Sequence, residues 1–91
     1  MNELKLEEQF NISSIVVKNL TKRPEDDELL IIYGLYKQVT IGDCNTTEPT
    51  GILNIKEKSK WANWKKLENM TRTDAMIKYI RCVEFLVNKY K

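Results

Sequence analysis

The residues that break helices are scarce in this chain, and their scarcity limits its fold more than any other feature. Only two prolines and three glycines occur among 91 residues. A fold of many short strands needs frequent turn residues, whereas long helices need few interruptions. Four of the five breakers lie at position 24 and within the segment 42–51. The sequence therefore favours an all-α fold whose helices are separated at these places.

Apolar side chains recur at steps of three and four, which is the spacing of helices with one buried face. The first predicted helix runs from about Glu3 to Leu20. The second is predicted to carry Pro24 in its first turn, followed by acidic residues that suit the positive end of a helix dipole. It is expected to continue to about Thr40, because Gly42 is a natural helix stop.

Two further helices are predicted after a loop at 42–52, which is long enough to cross from one end of a bundle to the other. The third spans about 54–68. The stretch Thr71–Asp74 has the form of a helix-capping start, so the fourth helix is predicted from there to the end of the chain. Together these elements predict one compact four-helix domain over residues 1–91.

Composition excludes several classes of protein. The absence of histidine removes histidine-based nucleophile pairs and general bases, and it removes most zinc sites, so an enzyme is not expected. Cys44 and Cys82 are too few for a disulfide scaffold. No secretion signal and no stretch of membrane-spanning length are apparent. We therefore expect a cytoplasmic protein with reduced thiols, without metal, cofactor or stable membrane insertion.

The second helix is predicted to have two apolar faces. On a helical wheel Leu29, Leu30, Tyr33, Tyr36 and Lys37 share an arc of about 120°. The roughly opposite arc is aliphatic and forms the expected core face: Ile31, Ile32, Leu35, Val39. Both faces could be buried in a central helix, but buried phenols need hydrogen-bond partners and buried lysines need a counter-charge. The order of leucines, tyrosines and lysine instead suits an amphiphilic ligand with an anionic head.

The third helix carries a basic face next to its tryptophans. Lys56 and Lys60 are four residues apart and share a side, while Trp61 and Trp64 are expected to face the core. Three other interpretations remain open from the residues alone. These are a basic helical nucleic-acid-binding domain, a hydrolase using Cys44, and a purely structural interaction module.

Three stretches resemble the acyl-CoA-binding proteins, which are small cytosolic carriers of long-chain acyl-CoA esters. They are YGLYKQVTIGDCNT (33–46), KEKSKWANWKKL (56–67) and TRTDAMIKYI (71–80). The resemblance implies an up-down-down-up four-helix bundle. It also implies non-catalytic binding, transport and pooling of medium- and long-chain fatty acyl-CoA esters by a monomer. Contacts with membranes or acyl-CoA-using enzymes would be transient, and nucleic acid would not be bound.

The same resemblance assigns roles at the nucleotide end of the ligand. Tyr33 and Lys37 are similar to the positions that hold the 3′-phosphate of CoA. Tyr36 is similar to the ring against which the adenine packs. Lys60 resembles the lysine at the nucleotide end, and Lys56 resembles the lysine one turn earlier.

The remaining implied ligand residues lie on three helices. Tyr79 resembles the tyrosine that closes the site from the fourth helix, and Lys18 resembles a contributing lysine on the first. Leu29 and Leu30 stand where the family lines its acyl channel. The chain departs from the family pattern at Glu57, where a glycine is usual and where the acid falls between two ligand lysines.

Overall fold

The computed structural model describes residues 3–91. Residues 1 and 2, which the predicted domain includes, lie outside the described part. Within this range the chain forms four α-helices and no strand. A short 3₁₀ turn at Ile52–Asn54 precedes the third helix. The helices are α1 (Glu3–Lys18), α2 (Asp26–Thr40), α3 (Ile55–Lys65) and α4 (Arg72–Lys89).

The helices form an up-down-down-up bundle in which α4 packs on both α1 and α2, and α3 packs on α2. Arg72 at the start of α4 pairs with Glu7 near the start of α1, so these helices are parallel. The Arg72 Nε also donates to the Val39 carbonyl at the end of α2, which makes α4 antiparallel to α2. Near the end of α3, Trp64 donates to the carbonyl of Gly42 just beyond α2, so α2 and α3 are parallel. The predicted fold is confirmed.

The start of α2 is set by acidic residues and not by the proline. Pro24 precedes the N-cap residue Glu25, so the prediction that it lies in the first turn is wrong. The backbone N–H of Glu25 donates to the Glu28 carboxylate at 2.9 Å. A carboxylate at this point satisfies an N–H that the helix itself cannot pair. Helix α2 therefore begins two residues after Pro24.

The predicted cap of α4 is confirmed. The Thr71 hydroxyl accepts a hydrogen bond from the backbone N–H of Asp74 at 3.1 Å. Thr71→Ala is expected to lower the free energy of unfolding by about 1 kcal/mol, because this N–H loses its partner. The melting temperature should fall by about 4–8 °C. Thr47→Ala, in the exposed loop, is the control and should leave it nearly unchanged. Equal melting of both variants and the unaltered protein would show that the cap does not stabilise the fold.

The core lies along α4 and the facing sides of α1 and α2. Its buried apolar side chains recur at helical spacing: Leu6, Phe10, Ile32, Leu35, Val39, Ala75, Met76, Tyr79, Ile80, Val83, Leu86. Ile31 was expected on the core face but is 44% exposed. On the wheel it lies about 75° from the centre of the buried aliphatic side chains Ile32, Leu35 and Val39, at the edge of their arc. Gln38, which is buried just beyond that edge, lies about two turns further along the helix, so angular position alone does not decide burial here. Helices α1 and α3 are also shorter than predicted, ending at Lys18 and Lys65.

Helices α2 and α3 approach each other most closely at Gly34. A Cβ atom built on Gly34 would lie 2.5 Å from the carbonyl oxygen of Asn63 and 3.3 Å from the backbone nitrogen of Trp64. Real Cβ atoms essentially never come within 3.0 Å of such an atom, so the contact with the Asn63 oxygen is forbidden. The absence of a side chain at Gly34 therefore sets the spacing of the two helices.

A hydrogen-bonded cluster joins the start of α2 to the end of α4. The Glu28 carboxylate accepts from Lys89 Nζ at 2.7 Å and from the Tyr90 hydroxyl. These hydrogen bonds, the one from Lys89 above all, lower the pKa of Glu28 from its ordinary 4.5 to about 2. The ionised carboxylate therefore stabilises the fold above pH 4.5, and this contribution is lost as the pH falls towards 2.

We expect Glu28→Gln to lower stability at neutral pH, with a deficit that shrinks between pH 4.5 and 2. The reason is that the unfolded chain takes up a proton on Glu28 over this range while the folded protein keeps it ionised to about pH 2, so the unaltered protein loses stability that the glutamine variant never had. Urea unfolding of both proteins across this range measures the deficit. A deficit that does not change with pH would contradict the assignment of this stabilising charge to Glu28.

Candidate functional site

A shallow cleft of about 180 Å³ lies between α2, α3 and the loop that joins them. Its lining comes from all three elements: Tyr33, Lys37, Thr46, Pro49, Glu57, Lys60, Trp61, Trp64. The parallel pairing of α2 and α3 places Tyr33 and Lys37 opposite Lys60. Three of the ligand residues expected from the sequence are thus brought together.

The two tryptophans are fixed by hydrogen bonds to the loop. Trp64 Nε1 donates to the Gly42 carbonyl at 2.7 Å, and Trp61 Nε1 donates to the Thr46 carbonyl at 2.9 Å. Trp64 is 4% exposed, as expected for a core residue, whereas Trp61 is only half-buried. Trp64 therefore has no free face for stacking on a base, which weighs against the nucleic-acid interpretation.

The beginning of the loop is pinned by a buried amide. Gln38 is 2% exposed, and its Nε2 donates to Asp43 Oδ1 at 2.8 Å and to the Met70 carbonyl at 3.0 Å. Asp43 Oδ1 also accepts from the backbone N–H of Asn69 at 2.8 Å. The hydrogen bond from Gln38, followed by that from Asn69, lowers the pKa of Asp43. This network fixes Asp43, which directly follows the Gly42 carbonyl that accepts from Trp64. It thereby fixes the point at which the loop enters the cleft.

Each lysine ammonium in the cleft lies over an aromatic ring. Lys37 Nζ is 5.0 Å from the centre of the Trp64 ring, and Lys60 Nζ is 5.5 Å from that of Tyr33. The face of an aromatic ring attracts a cation. The side of the ammonium group that points away from the ring remains available to an anion. Two ammonium groups and a phenol at one cleft can therefore bind a phosphate, with the ammoniums supplying charge and the hydroxyl supplying direction.

Three aromatic rings, one each from α1, α2 and α4, meet in the bundle. Phe10 lies 5.7 Å from Tyr36 and 4.8 Å from Tyr79, measured between ring centres. Tyr36 is 39% exposed, so one part of its ring remains accessible to a flat ligand. Tyr79 is 2% exposed, and burial raises its pKa to about 12. Tyr79 does not line the cleft, and its expected role in closing the site stays a prediction.

The other expected ligand residues lie outside the cleft. Leu29 and Leu30 are half-buried one turn before Tyr33. Lys56 is exposed one turn before Lys60. Lys18 is exposed at the end of α1, a helix that packs on α4 and not on α3. Their roles remain predictions.

Sequence reasoning missed two loop residues and two tryptophans as parts of this cleft. Thr46 and Pro49 belong to an irregular segment, where no periodic pattern signals which side chains point inward. Both tryptophans were assigned to the core from their three-residue spacing. Trp64 is buried as well as lining the cleft, whereas Trp61 is only half-buried. Its direct adjacency to Lys60 was the available signal that it borders the basic face.

A larger groove of about 320 Å³ lies between α1 and α4. Its lining is Leu6, Gln9, Thr73, Ile77, Ile80, Arg81, Glu84. It contains one cationic and one acidic side chain, so it carries no excess of positive charge. An anionic ligand is therefore better matched by the cleft between α2 and α3.

Comparison with known proteins gives the family. The sequence model of the family described as "Acyl CoA binding protein" matches residues 7–83. The chain belongs to the acyl-CoA-binding protein family. Among curated members, the acyl-CoA-binding protein homolog of Drosophila melanogaster is 48% identical over 83 residues, covering 91% of this chain and 95% of that one. The Dictyostelium discoideum acyl-CoA-binding protein is 46% identical over 81 residues, covering 89% and 95%.

Solved structures of other acyl-CoA-binding proteins share the fold. Acyl-CoA-binding protein 2 of Oryza sativa superposes with a TM-score of 0.88 at 36% identity, covering 94% of this chain and 92% of that one. The Babesia bovis protein gives 0.77 at 33% identity, covering 91% and 94%. Like its relatives, this family member is built from helices, and none of those within residues 3–91 is long and apolar enough to cross a bilayer.

Proposed function

We propose that this acyl-CoA-binding protein binds medium- and long-chain fatty acyl-CoA esters and carries and pools them without a covalent step. The observation that carries the proposal is the convergence of Lys37, Lys60 and Tyr33 on one cleft, in a chain whose relatives are named for acyl-CoA binding. The two ammonium groups and the phenol suit an anionic head, and the tail is assigned below to apolar side chains at the beginnings of α2 and α3.

The head of the ligand is proposed to lie in the cleft. A phosphomonoester carries a charge of about −1.5 to −2 at neutral pH, and the diphosphate of CoA adds to it. Lys37 and Tyr33 are proposed to bind the 3′-phosphate, with Lys60 on the facing helix. The exposed ring of Tyr36 is proposed to pack against the adenine, with Tyr79 behind it. Lys56 and Lys18 would add positive charge from outside the cleft.

The tail is proposed to lie along the beginning of α2. Leu29 and Leu30 are half-buried there. Because α2 and α3 are parallel, the start of α3 lies at the same end, where Ile52, Leu53 and Ile55 are 87%, 98% and 70% exposed. A group of largely exposed aliphatic side chains suits contact with a hydrocarbon chain.

Both halves of the ligand are required for tight binding. Burial of ten methylenes contributes about 8 kcal/mol as an upper limit. Nanomolar affinity corresponds to about 12 kcal/mol, so contacts with the head must supply the remainder. We propose that the protein acts as a cytosolic monomer that meets membranes and acyl-CoA-using enzymes only transiently.

Calorimetric titration tests the proposal. Palmitoyl-CoA is expected to bind at one site per chain and much more tightly than free CoA or palmitate, because each half supplies only part of the free energy. The ester should also be recovered intact after incubation, since no covalent step is proposed. If palmitate bound as tightly as the ester, the cleft would not be a head-group site. Release of free CoA would contradict the non-catalytic role.

A further inference from the structure

The proposed head-group cleft contains a negative charge of its own. Among its lining residues Glu57 is the acidic one. Its Oε1 lies 3.6 Å from Lys60 Nζ, one turn along α3. The side chains of Lys60 and Glu57 are 32% and 59% exposed, so neither is locked in a buried network. A carboxylate thus faces the same ammonium that is available to a bound phosphate.

The two lysines of the cleft consequently differ. Lys60 lies between the ring of Tyr33 and the Glu57 carboxylate. Lys37 lies over the ring of Trp64, and no carboxylate in the described part of the chain forms an ion pair with it. Without ligand, the charge of Lys60 is therefore partly compensated, whereas that of Lys37 is open to the cleft.

We propose that Glu57 is an internal competitor that occupies Lys60 in the free protein and must give it up when a phosphate of the ligand binds. The proposal rests on the proposed function and concerns how tightly the cleft holds its anionic head. Exposed ion pairs are weak, so the exchange is readily reversible. Glu57 would then lower the affinity for the head group without affecting contacts to the tail.

The expected effect follows from the strength of such pairs. Glu57→Gln keeps the size of the side chain and removes its charge. Palmitoyl-CoA and adenosine 3′,5′-bisphosphate should bind about 1.5-fold to fivefold more tightly to this variant at low salt. Adenosine, which has no charge, should gain nothing. Added salt should reduce the difference, because it screens charges at an exposed site.

The matched control is Glu84→Gln, which makes the same change of net charge on the exposed face of α4, outside the cleft. Its binding of the bisphosphate should equal that of the unaltered protein. Equal gains in both variants would assign the effect to net charge and overturn the proposal.

A double-mutant cycle with Lys60→Met separates competition from direct repulsion. If Glu57 acts by occupying Lys60, the gain from Glu57→Gln should disappear once Lys60 is methionine. An undiminished gain in that background would show that the carboxylate repels the ligand directly, which overturns the competitor role. Weaker binding by Glu57→Gln would overturn it as well, by making Glu57 a ligand contact.

Binding of palmitoyl-CoA by the unaltered protein is the separate test of the proposed function; its absence would remove both proposals.

Discussion

Replacement of Lys37 by methionine is expected to weaken palmitoyl-CoA binding by about tenfold to a hundredfold. The ammonium of Lys37 is held over the Trp64 ring with no acidic partner among the described residues, so its charge is directed to the cleft. A hydrogen bond to a charged group contributes about 1.5–3 kcal/mol, which corresponds to this range of affinity. Methionine keeps the length and apolar stem of lysine and removes only the charge and its donors.

The control for this experiment is Lys78→Met, which removes a charge from the exposed surface of α4 outside the cleft. It should bind palmitoyl-CoA nearly as the unaltered protein does. Urea unfolding of both variants excludes a loss of affinity through unfolding. If Lys37→Met bound within twofold of the unaltered protein, the charge of Lys37 would not contribute to the ligand site.

Replacement of Gly34 by alanine is expected to destabilise the fold by about 1–3 kcal/mol. Helix propensity alone predicts the opposite sign, because alanine is favoured over glycine in a helix interior by about 1 kcal/mol. The packing dominates here, since the new Cβ would lie 2.5 Å from the Asn63 carbonyl oxygen on α3. That atom belongs to a helix backbone and cannot move aside as a flexible side chain could. The helices must separate, which would also widen the cleft between Tyr33 and Lys60.

Urea denaturation measures this loss, with Asn11→Ala as the control at an exposed position of α1. The control should be neutral or slightly stabilising, because only helix propensity changes there. We also expect Gly34→Ala to bind palmitoyl-CoA more weakly than Asn11→Ala. A stabilising effect of Gly34→Ala would show that α2 and α3 do not approach as closely as the structure indicates.

The bundle could be predicted largely from the sequence because its information is local. Apolar spacing on the four helices identifies their buried faces, and Thr71 marks the start of α4 through its own side chain. The errors also have local causes. Pro24 and Glu25 both suit a helix start, and only the hydrogen bond between Glu25 and Glu28 decides between them. Ile31 lies at the margin of an apolar arc, where a helical wheel does not resolve burial.

The site could be predicted in part, for a different physical reason. Tyr33 and Lys37 share one helix, so their proximity follows from periodicity. Lys60 required the resemblance to the family, since no local rule says that α3 packs parallel to α2. The contact between the Lys37 ammonium and the Trp64 ring joins residues 27 positions apart in the sequence, so it depends on that packing. The ion pair between Glu57 and Lys60 is local, because the two residues are three apart on one helix. That both side chains line the cleft depends on how α3 packs against α2.

The measurement that tests the central claim most directly is a nuclear magnetic resonance titration of the ¹⁵N-labelled protein with palmitoyl-CoA. The two indole N–H groups of Trp61 and Trp64 donate to the loop and report on the cleft from separate, resolvable signals. We expect the largest shifts at these indoles and at the backbone amides around Lys37 and Lys60, with small shifts in the groove between α1 and α4 around Arg81. Shifts concentrated around Arg81, with the indoles unmoved, would contradict the assignment of the ligand to the cleft between α2 and α3.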